Sequence, residues 1–236
     1  ISLPLYGMSI WGHIFSIRQN LALETVSRYV RDLSIKQCSE YEEVSSNVVK
    51  SLLALVVDRL ADSLSSSVTW TPSGEFQGHT FTRQALAFVS DFAEINPWCD
   101  SSGNWMGAIE WVSKVCEHSV DIPSAGYVEQ ASAVEHPLPN DSADAIITDP
   151  PYYDAVPYSH LSDFFYVWLR RTLIKIYPNL FKSETSPKEE EIVVDRPHYL
   201  SQSKKDVEFY ECELTKSFTE INRIIRSGGV CIIVFA

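Results

Sequence analysis

Asp144-Ala145-Ile146-Ile147-Thr148-Asp149-Pro150-Pro151-Tyr152 is the stretch on which the reading of this chain turns. Ala145-Ile146-Ile147 is a short apolar run and reads as a buried strand. It ends abruptly in an acid, two prolines and an aromatic. Proline has no N–H to give to a sheet ladder, so Pro150 and Pro151 drive the chain out of the sheet at the C-terminal end of the strand. In open α/β sheets that edge is where ligands bind. The pattern therefore sets Asp149 and Tyr152 on a stiff loop at the mouth of a cleft. The plain alternative is an ordinary strand-to-turn exit, since acid–proline pairs are common in turns.

Downstream lies an aromatic-rich segment with Tyr153, Tyr158, Phe164, Phe165, Tyr166 and Trp168. Part of it, Ser162 to Leu173, has helical spacing and closes on Arg170 and Arg171. Aromatics beside a cleft can stack on a base, though such clusters usually build a core. The arginine pair could meet a phosphate, but a helix C-terminus also attracts cations. Phe181 to Tyr199 is polar and reads as a long surface loop or lid. Val207, Tyr210, Leu214, Phe218, Ile221 and Ile225 mark an amphipathic helix, expected to be capped by Ser227-Gly228-Gly229. Val230 to Phe235 then reads as a buried strand. Strand, crossover, helix, strand is a βαβ unit with parallel pairing.

Upstream, His136 to Asp141 is a turn and Tyr127 to Ala131 a weak strand. Arg18 to Leu33 carries a helical stripe of Leu21, Val26, Tyr29, Val30 and Leu33. Tyr41 to Leu64 carries another, with Val44, Val48, Leu52, Leu55, Val56 and Leu60, and the two helices are expected to pair as a hairpin. Ser63 to Gly78 is a break with a turn signal at Trp70 to Gly74. Phe81 to Leu86 and Phe88 to Ile95 read as helical, stopped by Asn96-Pro97. Asp100 to Asn104 precedes a helix carrying Met106, Ile109, Val112 and Val115. Its start could receive an anion, or be an ordinary cap made by Ser101 or Ser102. The expected organisation is a mainly helical region over 1–122 and a partial α/β region over 123–236.

Composition bounds the rest. At 236 residues, with 45% hydrophobic and 12% aromatic content, the chain can build a real core. No apolar run approaches the ~20 residues of a transmembrane helix, and the N-terminus has no signal-peptide pattern. The chain begins at Ile1, which suggests a processed product or an excised piece. Cys38, Cys99, Cys116, Cys212 and Cys231 form no C-x-x-C pair, so neither a metal site nor a disulfide framework is indicated, and reduced, mostly buried thiols are expected. The formal net charge of −12 argues against a strong nucleic-acid footprint on this piece alone.

Asp149-Pro150-Pro151-Tyr152 at a strand end, with Arg226 to Gly229 before the next strand, resembles the amino-group DNA methyltransferases that use S-adenosylmethionine. More closely, Phe81 to Leu86, Asp91 to Pro97, Asp100 to Trp105 and Thr148 to Tyr166 are similar to the large adenine-specific DNA methylases that carry a zinc ribbon. The resemblance implies a Rossmann-like methyltransferase sheet, a cytoplasmic location and DNA as partner. It implies that Asp149 and the Pro150 carbonyl hold the N6 hydrogens of a flipped adenine, that Pro151 stiffens the loop, and that Tyr152 stacks on the base. Tyr153, Tyr158, Arg170 and Arg171 become candidates for substrate contact, and Asp149, Ser132 and Asn104 for cofactor contact.

The departures from the family are specific. No Gly-x-Gly turn follows an apolar strand. Ala131-Ser132-Ala133 stands where Gly-Asp-Ala is usual, and the zinc-ribbon cysteines are missing. The expectation is a segment of a larger protein, inactive by itself, with the glycine loop and the ribbon elsewhere. Methylation of cytosine N4 or of an RNA base, and a non-catalytic methyltransferase-like interaction module, are the alternatives.

Overall fold

The computed structural model describes residues 3–34, 42–82, 85–86, 88–120, 124–153, 156, 158–194 and 205–234. The chain divides into two units. One is Ile1–Ile122 with Ser159–Pro187, and the other is Pro123–Tyr158 with Lys188–Ala236. The sequence reading drew a single division at 122/123; in the structure the first unit also takes in Ser159–Pro187. Both helices and strands are present, including a two-stranded parallel sheet, so the molecule is mixed α/β.

The first unit is mainly helical. Two short 3-10 helices, Leu3–Tyr6 and Trp11–Ile14, lead into α1 (Ile17–Asp32). A capping box starts α1: the Ser16 side chain accepts from the Gln19 N–H at 3.2 Å, and the Gln19 side chain accepts from the Ser16 N–H at 2.7 Å. Helix α2 (Glu42–Leu64) packs against α1 and against α3 (Trp105–Ser119), and α4 (Tyr158–Leu173) completes the set. The expected stripes are rotated. In α1 the buried positions are Gln19, Leu23, Val26, Ser27 and Val30, while Leu21 and Tyr29 are exposed. In α2 the buried face is Ala54, Val56, Val57, Leu60, Ala61 and Leu64, while Val48 and Leu55 face water. The aromatic-rich segment supplies the core: Phe164 is fully buried, with Trp11, Phe15, Phe81 and Phe165 packed edge-on or stacked around it at 5.0–6.2 Å.

Between α2 and α3 the chain makes a small antiparallel hairpin, β1 (Trp70–Thr71) with β2 (Phe76–Gln77), around the turn expected at Trp70 to Gly74. The helices read over Phe81 to Leu86 and Phe88 to Ile95 do not form among the described residues, and Arg83, Gln84 and Ala87 lie outside them. Tertiary contacts override the local pattern. The Thr80 and Phe81 N–H groups are turned toward the Asp62 carboxylate, Leu86 is buried, and Phe88 stacks on Tyr6 at 4.1 Å.

The second unit holds β3 (Ala143–Thr148), α5 (Val207–Ile224) and β4 (Ile225–Ile233). β3 and β4 pair in parallel, Ala145 with Val230 through Thr148 with Ile233. The weak strand at Tyr127 to Ala131 does not form; Tyr127 and Val128 are 86% and 95% exposed. Ser227-Gly228-Gly229 is not a helix cap. α5 ends at Ile224, with Ile225 as its C-cap, and β4 begins at once. The glycines form a bulge instead: the register jumps from Ala143–Ile225 to Ala145–Val230, so four residues of β4 face one of β3. Gly228 has φ +79°, and a Cβ on Gly229 would lie 2.6 Å from the Ile225 side chain and 3.0 Å from the Asp144 carbonyl. Ile147, expected inside, is 72% exposed. No helix among the described residues is long and apolar enough to cross a membrane. Of the thiols, Cys99, Cys212 and Cys231 are exposed rather than buried, Cys116 is half-buried, and Cys38 lies outside the described residues.

Candidate functional site

The parallel ladder delivers Asp149 to the sheet edge. Thr148 is the last paired residue of β3, and its carbonyl accepts from the Val234 N–H at 2.9 Å. Asp149 follows immediately and is exposed, while Pro150 is buried beneath it and Pro151 half-buried. This is the geometry that the two prolines dictate: the ladder stops because the next two residues cannot donate.

The loop folds back on itself through Tyr152. The Asp149 carboxylate raises the pKa of the Tyr152 phenol, first by its charge, then with burial, and then by a hydrogen bond between the two side chains. The neutral phenol donates and the carboxylate accepts. Tyr158 contributes more weakly to the same shift, so Asp149, Tyr152 and Tyr158 lie within electrostatic reach of one another. Tyr153 is 40% exposed, and its ring meets Tyr210 edge-on at 5.4 Å.

Tyr210 was not legible as a site residue. On α5 it looks like one more apolar-stripe position, and it is 4% exposed. Its hydroxyl donates to the Pro151 carbonyl at 2.8 Å. The available signal was chemical: a tyrosine on a buried stripe must find a partner for its hydroxyl.

Segment 188–194 meets the end of this loop at Tyr153. The Val194 N–H donates to the Tyr153 carbonyl at 3.0 Å, and Val193 is buried. The Lys205 ammonium donates to the Lys188 carbonyl and, at 2.7 Å, to that of Glu191. The loop expected over Phe181 to Tyr199 is irregular through Val194, and its remainder lies outside the described residues.

A cavity of about 560 Å³ runs along β3 and α5 below the loop. Ala145, Ile147, Pro150, Leu214, Phe218 and Ile221 give it apolar walls, with Asp149, His136 and Glu220 among its polar members. Glu220 is occupied: Arg223 holds it at 2.7 Å, and the His136 N–H donates to it at 3.1 Å. Those contacts, the arginine first, hold its carboxyl down at about 2. Arg223 also donates to the carbonyls of His136 and Leu138, so the pair fastens the turn before β3 onto α5.

S-adenosylmethionine would bring a carboxylate, an ammonium, ribose hydroxyls and an adenine ring, each needing a polar partner. The cavity offers the carboxylates of Asp149 and Glu220, the His136 ring and the hydroxyls of Thr148 and Ser217, but no lysine, arginine or glycine. Asn104 and Ser132 have local partners. The Asn104 side chain caps α3, accepting from the Gly107 N–H at 2.6 Å and donating to the Cys99 carbonyl at 2.8 Å, which corrects the cap expected from Ser101 or Ser102. The Ser132 hydroxyl accepts from the Val134 N–H at 3.3 Å within its own turn.

Arg170 and Arg171 belong to the first unit. Arg170 donates to the Phe181 carbonyl at 3.3 Å, while Arg171 pairs with Glu24 at 2.9 Å and lies over the Trp168 ring. The structure therefore brings Asp149, Pro150, Pro151, Tyr152, Tyr153 and Tyr158 together in the second unit and gives the arginines structural partners in the first. No known protein family, characterised protein or solved structure matches the chain.

Proposed function

We propose that this chain carries the base-holding half of an S-adenosylmethionine-dependent DNA methyltransferase that acts on the N6 amino group of a flipped adenine. Its parallel sheet is read as part of a Rossmann-like methyltransferase sheet. The carrying observation is the setting of Asp149: one residue beyond the last laddered position of a parallel strand, with a neighbouring hydroxyl already donating to its carboxylate.

The chemistry asked of these residues is specific. The lone pair of an adenine amino nitrogen is delocalised into the ring, so the nitrogen is a weak nucleophile. Two acceptors that take its two hydrogens, the Asp149 carboxylate and the Pro150 carbonyl, favour a pyramidal nitrogen with its lone pair turned outward. The incoming amino group replaces the Tyr152 hydroxyl on Asp149. The two prolines fix both acceptors in advance, so little reorganisation is needed at the moment of reaction. Tyr152, released from the carboxylate, stacks on the base, a contact worth about 1–3 kcal/mol. The acid at the first motif position favours adenine N6 over cytosine N4. No Gly-x-Gly turn follows an apolar strand here, so the isolated chain is expected to be inactive.

Replacement of Asp149 by alanine in the intact protein tests the reading. Transfer of label from S-adenosylmethionine to adenine in duplex DNA should fall by about 100-fold or more, the scale of losing one preorganised polar contact, with far-UV and thermal behaviour unchanged. Near-normal transfer by that variant overturns the assignment. Label appearing on cytosine or in RNA instead would move the substrate class, and a protein that transfers to neither would be the interaction module.

A further inference from the structure

We infer that Tyr210 is a positioning residue whose hydroxyl, by holding the Pro151 carbonyl, sets where Asp149 and Tyr152 stand; this rests on the base-methylation reading above.

The need for such a residue follows from the loop's own chemistry. Between Thr148 and Tyr152 the backbone has one N–H, that of Asp149, because Pro150 and Pro151 have none. Two prolines stiffen the segment but leave it almost no means of anchoring itself to the sheet it has left. An outside donor has to fix it. Tyr210 is that donor at 2.8 Å, on an O–H···O geometry near the usual optimum. It is 4% exposed and the bond is part-buried, which limits the access of water to it. Burial, and secondarily Tyr158, raise its phenol pKa, so the group remains a donor through the physiological range.

The post itself is braced. Tyr210 sits in the first turn of α5, whose start is capped by the Asp206 side chain accepting from the Phe209 N–H at 2.9 Å. At the far end of the helix, the Arg223 and Ile224 carbonyls accept from the Asp141 and Ser142 N–H groups at 3.0 and 2.8 Å, at the entrance to β3. The strand and the helix are therefore tied at one end by backbone and at the other by the Tyr210 hydroxyl. The Tyr153 ring packs edge-on against the Tyr210 ring, and the Tyr153 carbonyl accepts from Val194. Packing alone would be served equally well by phenylalanine. The hydroxyl is the group that carries a position to Pro151, and through it to the residues on either side.

Tyr210→Phe separates the two roles, because the ring and its contact with Tyr153 remain. In this chain, amide hydrogen exchange over 149–153 reports only Asp149, Tyr152 and Tyr153, the prolines being silent. The variant should speed exchange there about tenfold or more, while the amides of 214–224 and the melting temperature stay as they were. In the intact protein kcat should drop by between about 10- and 100-fold, the scale of a misplaced reacting group, with KM for S-adenosylmethionine within about twofold. Unchanged exchange over 149–153 overturns the anchoring role. Faster exchange with an unchanged kcat overturns the link to catalysis. If the unsubstituted protein transfers no methyl group to any nucleic acid, the methylation reading fails, and the exchange measurement still decides whether Tyr210 holds the loop.

Discussion

Asp58 is the group whose replacement should change stability most visibly. It lies in α2 among Ala54, Val57 and Ala61, is 8% exposed, and one of its carboxylate oxygens, Oδ1, is buried with no partner. One turn on, Asp62 shows the contrast: its carboxylate accepts from Thr80, Phe81 and His79. Without such partners, burial pushes the Asp58 carboxyl up from 3.8 to about 8. The unfolded chain gives up this proton near pH 4 and the folded chain keeps it until about pH 8. Between those values the unfolded state binds fewer protons, so stability falls as pH rises, by about 1.4 kcal/mol per unit. From 3.8 to pH 7 the loss is on the order of 4 kcal/mol, and above the folded pKa it levels off. Asp58→Asn removes the titration while keeping the shape. The assay is convenient because Trp11, Trp70, Trp98, Trp105, Trp111 and Trp168 all lie in the first unit, so indole fluorescence during urea unfolding reads that unit alone. The difference in unfolding free energy between variant and parent should grow by about 4 kcal/mol in favour of asparagine between pH 4 and pH 7. Parallel curves across that range would refute the argument, whatever the absolute stability of the variant.

Two further outcomes concern the second unit. Glu220 is held at about 2 by Arg223 and the His136 N–H, below its ordinary 4.5; its contribution is present above pH 4.5 and lost as pH falls toward 2, so Glu220→Gln should flatten the acid limb of a melt followed by tyrosine absorbance. Gly229→Val should destabilise this unit by about 1–3 kcal/mol, the usual scale of overpacking, because its side chain enters space already taken by Ile225 and the Asp144 carbonyl; an unchanged urea midpoint would argue against the bulge.

What the sequence revealed depended on whether the deciding contacts were local. Helix α5 and strand β3 could be read because a 3.6-residue stripe and an apolar run ending in prolines carry their own explanation. Phe81 to Ile95 misled because its apolar residues look periodic, whereas Asp62 and Tyr6, distant in sequence, decide where Thr80, Phe81 and Phe88 go. Tyr127 and Val128 have strand-forming side chains, but a strand needs a neighbour to pair with, and side-chain preference does not supply one. Gly228 and Gly229 look like a helix stop from either reading frame; only pairing with β3 shows that they are consumed by a bulge. At the site, Asp149 to Tyr152 could be recognised as a motif, while Tyr210 needed the fold to bring α5 under the loop.

The chain's acidity takes on a sharper meaning once most cations of the second unit are placed. In the second unit, Lys205 is spent on two backbone carbonyls and Arg223 on Glu220 and the turn before β3. Neither can turn to a phosphate without loosening the segment or the strand it holds. Lys216 and Arg226 pair with Glu213 and Asp144 on the surface, where such pairs are worth about 0–1 kcal/mol and are easily exchanged for another anion. Arg196 and Lys204 lie outside the described residues. At most a few cations here could follow a nucleic-acid backbone, whereas Asp149 stands exposed at the loop and would repel one. Under the proposed function, an acid placed to hold an amino group is an asset only after the duplex has been gripped and the base delivered. Under that same proposed function, the net charge of −12 and the proline loop divide the work: the loop supplies base chemistry, and the phosphate grip is asked of residues other than those described.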